Sequence, residues 1–314
     1  MTCPGRDRGL TVDGILNINK PAGMTSFSIV AMVRRLTGER RVGHAGTLDP
    51  MATGVLPVCL GQGTRITEFL VDQTKTYRAQ IELGVATDTY DGSGKITQRK
   101  DPSRIGLGRL EQALASFRGV IPQTPPMYSA VKYHGKRLYQ LARSGITVER
   151  RSRPAKIYHL ELIEFQPPLV AIEVVCGKGT YIRSLAHDLG QVLGCGANLR
   201  GLVRSRCGLF DIVDAISPAR FEDAVHCGYW RRFVYPIDIV LQHWTAMIVG
   251  DATAREIRDG RSLVGGRDDT GGYCRAYTQD GCFLGVLGFS QETGQWHPEK
   301  VFCGSQEEPC AGPW

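Results

Sequence analysis

Residues 170–176, VAIEVVC, are the stretch of the sequence that most constrains the fold. Three valines and an isoleucine within seven residues predict a buried β-strand, because β-branched side chains pack well on a pleated surface. After the turn GKGT, apolar residues return at helical intervals: Ile182, Leu185, Ala186, Leu189, Val192 and Leu193. The sequence therefore predicts a strand, a turn and a helix in direct succession.

Three other segments are clearly periodic. In TYRAQIELG, residues 76–84, apolar and polar side chains alternate, which is typical of a half-buried strand. Residues 25–38, TSFSIVAMVRRLTG, begin with two candidate helix caps and end with glycine, and residues 108–119, GRLEQALASFRG, have apolar side chains at helical spacing. Because strands and helices do not alternate in a regular βαβ rhythm, we expect a mixed α+β fold. Its mixed central sheet is flanked by helices and is not doubly wound.

The character of the sequence changes near residue 243. From Thr245 to Phe302, short apolar runs are separated by glycine and aspartate, which is typical of a small β-barrel or sandwich. We therefore expect four regions: an N-terminal extension over residues 1–12, a large domain over 13–243, a small β domain over 244–304 and a loose tail over 305–314.

Composition narrows the class of protein. The 314 residues include 42% hydrophobic and 22% charged side chains, as in ordinary globular proteins. No apolar run reaches the ~18 residues of a membrane span, and the N-terminus lacks the apolar core of a signal peptide. We expect a cytoplasmic location and reduced thiols, since the ten cysteines are scattered without a C-x-x-C pair. Zinc binding by Cys195 and Cys207, or by Cys303 and Cys310, has little support because ligand spacing is absent.

Positive charge is concentrated in one segment. Residues 131–156 contain eight lysines and arginines against the single acid Glu149, an excess equal to the formal +7 of the whole chain. Such a concentration indicates contact with a polyanion, although a solvated basic face has the same composition. Tyr133 and Tyr139 lie among the cations and favour RNA as the partner, because aromatic rings can stack on bases.

A glycine-rich stretch, RRVGHAGTLDPMATGVL at residues 40–56, contains a single acid, Asp49. Two interpretations are open. An aspartate before proline is a common helix start, in which the side chain caps the first turn. Alternatively, Asp49 is a reactive group, because the surrounding glycines let a ligand approach the backbone closely. Arg183 bears on this choice, since a cation in the first turn of a helix is disfavoured by the helix dipole and is more easily explained by a distant acidic partner.

Taken together, these segments resemble the TruB family of tRNA pseudouridine synthases. The resemblance is carried, in family order over about residues 13–210, by NINKPAGMTS, GHAGTLDPMATGVLPVCLG, KTYRAQIELGVATDTYDGSG, PPMYSAVKYHGKRLYQLARSG, CGKGTYIRSLAHDLG and LRGLVRSRCGLF. Residues 125–145 are similar to the bacterial stand-alone enzymes. The C-terminal glycine-punctuated strands resemble, more loosely, a PUA-type RNA-binding domain.

The resemblance implies a pseudouridine-synthase-type fold with a PUA-like C-terminal domain. It also implies an isomerase that flips a uridine of the tRNA T-loop (position 55) and moves its glycosidic bond from N1 to C5. The partner is then the T-stem-loop of tRNA, and assistance to tRNA folding is a secondary expectation. No cofactor, metal, membrane or obligate protein partner is expected.

The resemblance also assigns catalytic roles. Asp49 is the nucleophile or its equivalent, because an aspartate is ionised at neutral pH without a partner base. Attack on the uracil ring, attack on ribose C1′ and abstraction of a sugar proton are all open to it. Arg183 keeps Asp49 ionised in a dry pocket through two parallel donors that lysine cannot reproduce. Tyr77 stacks on the flipped base and assists loss of the C5 proton.

The remaining expected site residues have supporting roles. They are the base contacts Tyr181 and Leu202, His44 in the place of the displaced nucleotide, Lys20 and Pro21 as supports of the active-site loop, and the RNA-binding residues Lys132, Lys136, Arg137, Arg143 and Arg204.

One position departs from the family pattern. Two consecutive arginines usually follow the pocket leucine, whereas Leu202 is followed by Val203 and then Arg204. Either one phosphate or carboxylate contact is lost, or Arg206 or Arg200 supplies it.

Two other functions compete with uridine isomerisation. A non-catalytic RNA-binding or RNA-folding protein would also explain the basic segment. A metal-dependent nuclease or phosphatase fits less well, because such sites cluster several carboxylates around divalent ions and the glycine-rich stretch offers one.

Overall fold

The computed structural model describes residues 12–264 and 272–302 of the chain. The predicted tail over residues 305–314 and nearly all of the predicted N-terminal extension lie outside these ranges. Nineteen strands lie within them: β1 (Gly14–Lys20), β2 (Val42–His44), β3 (Thr53–Leu60), β4 (Lys75–Leu83), β5 (Val85–Thr87), β6 (Ile96–Arg99), β7 (Gly119–Gln123), β8 (Lys132–Tyr133), β9 (Lys136–Arg137), β10 (Arg153–Gln166), β11 (Leu169–Cys176), β12 (Ala197–Cys207), β13 (Phe210–Asp211), β14 (Val234–Tyr235), β15 (Thr245–Val249), β16 (Leu263–Val264), β17 (Tyr273–Thr278), β18 (Phe283–Ser290) and β19 (Gln295–Val301).

The same residues contain seven α-helices and a few short 3-10 turns. The helices are α1 (Ser26–Thr37), α2 (Thr67–Asp72), α3 (Leu107–Ala115), α4 (Leu138–Arg143), α5 (Ile182–Leu193), α6 (Pro218–His226) and α7 (Asp251–Arg258).

The large domain is built on a ten-stranded sheet. Eight strands follow the order β14-β1-β3-β12-β4-β11-β10-β7, while β2 pairs with β3 and β13 pairs with β12. Neighbouring strands are antiparallel except β3 and β12, which run parallel. Helix α5 packs against β12 and β4, α3 packs against α5 and β10, and α1 and α6 lie against β2 and β1. The predicted mixed sheet with flanking helices is confirmed.

The predicted strand, turn and helix over residues 170–193 are β11 and α5. The apolar side chains of α5 are buried as expected, except that Val192 is 56% exposed. Val192 lies at the edge of the apolar stripe, where a helix that covers a sheet meets solvent. The helix ends at Gly194, whose φ of 75° supplies the left-handed cap that glycine adopts without steric cost.

Local signals also set α1, α3 and β4. The Thr25 hydroxyl accepts a hydrogen bond from the Ser28 N–H at 3.0 Å, so α1 begins at the predicted cap. Strand β4 alternates buried and more exposed residues as predicted. Helix α3 ends at Ala115, earlier than the apolar spacing indicated, and Phe117 is buried in the turn that follows.

Asp49 does not begin a helix. The Ala52 N–H donates to the Asp49 carbonyl at 3.0 Å, which closes a turn, and β3 starts directly afterwards at Thr53. The helix-cap interpretation is therefore wrong. The turn leaves the carboxylate of Asp49 available to a partner that is distant in sequence.

A five-stranded sheet forms the C-terminal part of the described chain. Its order is β15-β17-β18-β19-β16, with β15 and β17 parallel and the other neighbours antiparallel. A C-terminal sheet of short strands is present as predicted, although the sequence did not predict that α7 packs against it. Polar contacts join this sheet to the large domain: the Tyr277 hydroxyl donates to Asp238 at 2.6 Å, Lys300 pairs with Glu68 at 3.0 Å, and Arg65 donates to the Val301 carbonyl.

Within the described ranges, every helix is too short or too polar to cross a lipid bilayer.

Candidate active site

Asp49 and Arg183 form the centre of the site. The Arg183 Nε donates to Asp49 Oδ2 and the Nη2 donates to Asp49 Oδ1, both at 2.8 Å, although the two residues are 134 positions apart. These two parallel bonds are the fork-to-carboxylate geometry that only arginine provides. The cation in the first turn of α5 therefore pairs with a distant acid, as its position in the helix predicts.

Backbone carbonyls hold the Arg183 guanidinium from its other sides. Nη2 also donates to the Tyr128 carbonyl at 2.8 Å, and Nη1 donates to the Thr89 carbonyl at 3.3 Å. The Asp91 carboxylate lies 3.9 Å from Nη1. The Arg183 side chain is 5% exposed and that of Asp49 is 30% exposed. The guanidinium is therefore fixed inside the protein, while the carboxylate it orients reaches an opening.

Lys20 and Ser26 hold the turn that carries Asp49. The fully buried Lys20 ammonium donates to the carbonyls of Pro21 at 2.9 Å, Met24 at 2.7 Å and Pro50 at 3.3 Å. The Ser26 hydroxyl exchanges hydrogen bonds with the backbone of Leu48. Burial lowers the pKa of Lys20 to about 8, against the opposing attraction of Asp49. These contacts support the predicted structural role of Lys20 and of the segment that contains Pro21.

Tyr77 lies on β4, opposite Arg204 of β12. Its side chain is almost completely buried, and this burial raises the pKa of Tyr77 to about 12, while the nearby Arg204 guanidinium opposes the rise. The phenol is therefore protonated at neutral pH.

Arg204 lies inside the protein. Its Nε donates to the Val55 carbonyl at 2.7 Å and its Nη2 donates to the Gly46 carbonyl at 3.1 Å, and the residue is 1% exposed. This placement does not support the prediction that Arg204 contacts RNA. Instead, Arg204 ties both sides of the turn that carries Asp49 to the central sheet.

Arg206 and Arg200, the two alternatives for the contact missing at Val203, point elsewhere. Arg206 binds the Asp211 carboxylate at 2.8 Å, and Arg200 lies 3.5 Å from Glu82. Both side chains are about half exposed or more. Among the described residues, neither arginine forms an ion pair with Asp49.

His44 is the last residue of β2 and directly precedes the turn that carries Asp49 and leads into β3. Its Nδ1 is buried and has no hydrogen-bond partner within the described part of the chain. Burial lowers the pKa of His44, and the charge of Arg204 adds to this effect. The imidazole is therefore a neutral ring at neutral pH.

Tyr181 and Leu202 are the other two residues that the sequence predicts to contact the base. The backbone N–H and carbonyl of Tyr181, at the start of α5, bind the side-chain amide of Gln123 at 2.7 and 3.0 Å. Burial raises the pKa of Tyr181; the charge of Arg183 opposes this rise, while that of Asp49 adds to it. Leu202 is buried on β12 beside Ala79.

Four of the five predicted RNA-binding cations lie on an exposed hairpin and on the helix that follows it. Strands β8 and β9 are joined by His134 and Gly135, whose φ values of 45° and 82° are those of a two-residue hairpin turn. The four exposed cations of this hairpin and of the following helix α4 are Lys132, Lys136, Arg137 and Arg143. Their exposure leaves them available to a polyanion.

Sequence reasoning missed several groups that orient Arg183. The carbonyls of Thr89 and Tyr128 carry no side-chain signal, so only the tertiary structure reveals them. Asp91 was detectable as an acid in the segment TDTYDGSG, but nothing in its spacing indicated that it approaches Arg183.

The described residues contain no group of three or more histidine, cysteine, aspartate or glutamate side chains arranged to hold a metal ion. Cys195 and Cys207 are buried free thiols. Cys303 and Cys310, the other pair considered for zinc, lie outside the described residues.

Two family models match consecutive parts of the chain. Residues 34–182 match the TruB family pseudouridylate synthase (N terminal domain), and residues 183–242 match the tRNA pseudouridylate synthase B C-terminal domain. The class of protein is therefore pseudouridine synthase.

Curated relatives extend this similarity over nearly the whole chain. The chain is 45% identical to tRNA pseudouridine synthase B of Dehalococcoides mccartyi over 301 residues, which covers 96% of this chain and 100% of that protein. It is 39% identical to tRNA pseudouridine synthase B of Pseudomonas aeruginosa over 93% of this chain and 96% of that protein. The chain belongs to the TruB family of tRNA pseudouridine synthases, isomerases that convert uridine to pseudouridine in tRNA.

Solved structures agree with the fold. The chain superposes on a protein from a crystal structure of a Cbf5-Nop10-Gar1 complex with a TM-score of 0.72 and 27% identity, over 92% of this chain and 85% of that one. A structure of an H/ACA RNP bound to a substrate RNA gives a TM-score of 0.70 at 24% identity, over 95% of this chain and 87% of that one. At this identity the similarity shows a shared fold and nothing more. The pseudouridine-synthase-type fold is confirmed, and the PUA-like description of the C-terminal sheet is consistent with it.

Proposed function

We propose that this chain isomerises the uridine at position 55 in the T-loop of tRNA, with Asp49 as the nucleophile. The observation that carries the proposal is the paired hydrogen bonding of Asp49 to the buried Arg183, at 2.8 Å on each oxygen. A carboxylate fixed in this way cannot rotate freely, so its oxygens meet a bound base in a defined direction. Family membership supplies the reaction, and this pair supplies the group that carries it out.

The chemistry requires a nucleophile and no outside reagent. On the ribose route, Asp49 displaces N1 from C1′, the base turns, and C5 displaces the carboxylate as the new bond to C1′ forms. On the ring route, Asp49 adds to C6 of uracil, the N1–C1′ bond breaks with its electrons left on the base, the base turns, and C5 bonds to C1′ before the carboxylate leaves C6. On both routes, loss of the C5 proton restores the ring and Asp49 regains its charge. The Arg183 guanidinium stabilises the carboxylate each time it regains its charge.

Tyr77 supplies the surface on which the flipped base rests. Its phenol is buried and, with a pKa of about 12, stays protonated at neutral pH. An uncharged aromatic ring is suited to stacking, and a protonated phenol is a weak acceptor for the C5 proton. We therefore assign Tyr77 primarily to stacking and only secondarily to proton loss.

Base flipping is part of the proposal, because the reacting atoms of uridine are poorly accessible inside the folded loop. Extrusion costs a few kcal/mol of stacking. The neutral imidazole of His44 offsets part of this cost by occupying the place of the extruded nucleotide. Tyr181 and Leu202 line the pocket that receives the base.

Contacts to the T-stem-loop come from the exposed cations Lys132, Lys136, Arg137 and Arg143. We propose that the chain needs no obligate protein partner and acts in the cytoplasm. The same basic surface supports a second candidate function, assistance to tRNA folding, which does not require Asp49.

Asp49→Asn tests the catalytic proposal. The amide has the shape of the carboxylate but cannot act as the nucleophile, so we expect tRNA binding within about twofold of wild type and no pseudouridine in single-turnover reactions. Asp72→Asn is the matched control, because Asp72 pairs with Lys178 at 2.8 Å on an exposed surface and should keep full activity.

The position is tested by mapping pseudouridine in an unmodified tRNA transcript and in a transcript with cytidine at position 55. Appreciable turnover by Asp49→Asn would show that Asp49 is not the nucleophile. Modification elsewhere in the cytidine transcript would overturn the T-loop assignment. Loss of tRNA-folding assistance in Asp49→Asn would contradict a folding role that is independent of catalysis.

A further inference from the structure

Tyr90 has a backbone conformation that its side chain does not favour. Its φ is 64°, in the left-handed region, where a residue other than glycine, asparagine or aspartate is uncommon and costs about 1–2 kcal/mol. Glycine would adopt this conformation without strain. Such outliers persist only when the surrounding contacts hold them, and they cluster at functional sites. The tyrosine ring therefore needs an explanation.

The ring of Tyr90 stacks on His187 of α5. The ring centroids are 3.9 Å apart and the planes are inclined by 16°. Burial lowers the pKa of His187, with a further contribution from Arg150, so a neutral imidazole faces the phenol. His187 Nδ1 is buried without a hydrogen-bond partner among the described residues. The imidazole is therefore held by the ring contact and not by a hydrogen bond to Nδ1.

Both residues of the stack adjoin the groups that hold Arg183. His187 lies four positions after Arg183, one turn further along the same helix. Tyr90 lies between Thr89, whose carbonyl accepts from Arg183 at 3.3 Å, and Asp91, whose carboxylate is 3.9 Å from the guanidinium. The stack thus joins the turn and the helix that together determine the direction of the guanidinium.

The rest of this turn is fixed to another element. The Tyr90 carbonyl accepts from the Leu199 N–H at 3.0 Å, and the Gly92 N–H donates to the Leu199 carbonyl at 3.0 Å, so the turn is attached to β12. Asp91 Oδ1 accepts from the Thr89 hydroxyl at 2.7 Å and from the Ser93 hydroxyl at 2.6 Å, which closes the turn on itself. Neither set of bonds ties the turn to α5, which leaves the Arg183 contacts and the stack to do so.

We propose that Tyr90 and His187 form a stacked clasp that holds the turn over residues 89–91 against α5 and so keeps the Arg183 guanidinium aimed at Asp49. They are positioning residues for uridine isomerisation and do not contact the RNA. The inference rests on the proposed roles of Asp49 and Arg183.

The experiment compares Tyr90→Phe, Tyr90→Ala and Tyr90→Gly, together with His187→Phe and His187→Ala. Phenylalanine at either position keeps a stacked ring. Alanine at position 90 removes the ring and keeps the backbone strain, whereas glycine removes both. Single-turnover pseudouridine formation, tRNA Kd and Tm are measured for each variant with an unmodified transcript.

The clasp predicts that Tyr90→Ala, Tyr90→Gly and His187→Ala each slow single-turnover formation about ten-fold, because small misplacements of catalytic groups are costly. The tRNA Kd stays within about twofold of wild type, and both phenylalanine variants retain the wild-type rate. Tyr90→Gly has a higher Tm than Tyr90→Ala, since glycine relieves the strained φ. If Tyr90→Ala does not fold, Tyr90→Gly and His187→Ala still test the rate.

A role in stability alone predicts a wild-type rate for Tyr90→Gly, which would overturn the clasp. Phenylalanine variants as slow as the alanine variants would also overturn it, as would a rise in Kd equal to the loss of rate, which would place the stack on the RNA. Asp49→Asn separates a failure of the proposed function from a failure of the clasp. Activity in Asp49→Asn would refute Asp49 as the nucleophile. An inactive Asp49→Asn together with a fully active Tyr90→Gly would refute only the clasp.

Discussion

Arg183→Lys is the substitution that tests the site geometry most directly. Lysine keeps the positive charge but has a single ammonium in place of the planar fork. In the structure, the fork makes two bonds of 2.8 Å to Asp49 and one of 2.8 Å to the Tyr128 carbonyl. An ammonium at the end of the shorter side chain keeps one carboxylate bond at most and loses the carbonyl bond.

The expected loss follows from these contacts. Hydrogen bonds to charged groups contribute about 1.5–3 kcal/mol each, and solvent screening is small because the Arg183 side chain is 5% exposed. Losing one such bond to Asp49 and weakening another raises the barrier by about 2–4 kcal/mol, which slows the reaction roughly 30- to 1,000-fold.

Single-turnover pseudouridine formation measures this loss, with tRNA Kd measured separately to exclude a binding defect. Arg78→Lys is the matched control, because Arg78 pairs with Glu173 at 3.1 Å while its side chain is 72% exposed. That variant should differ from wild type by less than about twofold, since exposed ion pairs contribute little. A rate for Arg183→Lys within about threefold of wild type, in a folded protein, would refute the requirement for paired hydrogen bonding.

Three further predictions follow from the fold and its charges. Changing the hairpin cations Lys132, Lys136 and Arg137 to glutamine should weaken tRNA binding. It should also reduce the slope of the logarithm of the tRNA binding constant against the logarithm of salt concentration by up to about 2. An unchanged slope would mean that the hairpin faces solvent in the complex. Lys20 should give kcat/KM an alkaline limb near its pKa of about 8, because the neutral amine has fewer N–H donors than the three carbonyls it binds. The folded chain releases this proton at lower pH than the unfolded chain, so Lys20 also adds stability as pH rises from about 8 toward 10.5. Both effects would be contradicted if the pH profiles of activity and of urea unfolding were identical in wild type and Lys20→Met. Gly54→Ala should lower the free energy of unfolding in urea by about 3 kcal/mol or more, because the φ of Gly54 is 103° and a Cβ would lie 2.2 Å from the Arg204 carbonyl oxygen. Gly108→Ala is the control, since a Cβ at Gly108 meets open space. Equal stability of the two variants would refute the prediction.

Local patterns in the sequence were sufficient for many elements of the fold. The β-branched run of β11, the alternation in β4 and the Thr25 cap of α1 act over a few residues, so their signals can be read without knowledge of the partners. The end of α3 was placed less well, because the burial of Phe117 is compatible with either a helix or the turn that follows it. Helix α7 was missed because glycine and aspartate surround it in a region of short strands.

The site shows the same division between local and long-range information. That Arg183 needs an acidic partner was predictable from its place in the first turn of a helix. The burial of Arg204 was not predictable, because the sequence around an arginine does not reveal whether its N–H groups donate to RNA phosphates or to the carbonyls of Gly46 and Val55. The ring contact of Tyr90 with His187 was equally hidden, since neither residue type nor spacing reveals a left-handed tyrosine.

The sequence by itself determined which class of chemistry is present, because the residue types and their order identify the family and single out Asp49 as the candidate acid. Only the tertiary structure decided which groups hold that acid in place. Secondary structure arises from periodic local interactions, whereas the site joins Asp49, Thr89, Tyr128 and Arg183, residues that meet only when distant strands pair. The direction of a guanidinium depends on that pairing, and no local pattern encodes it.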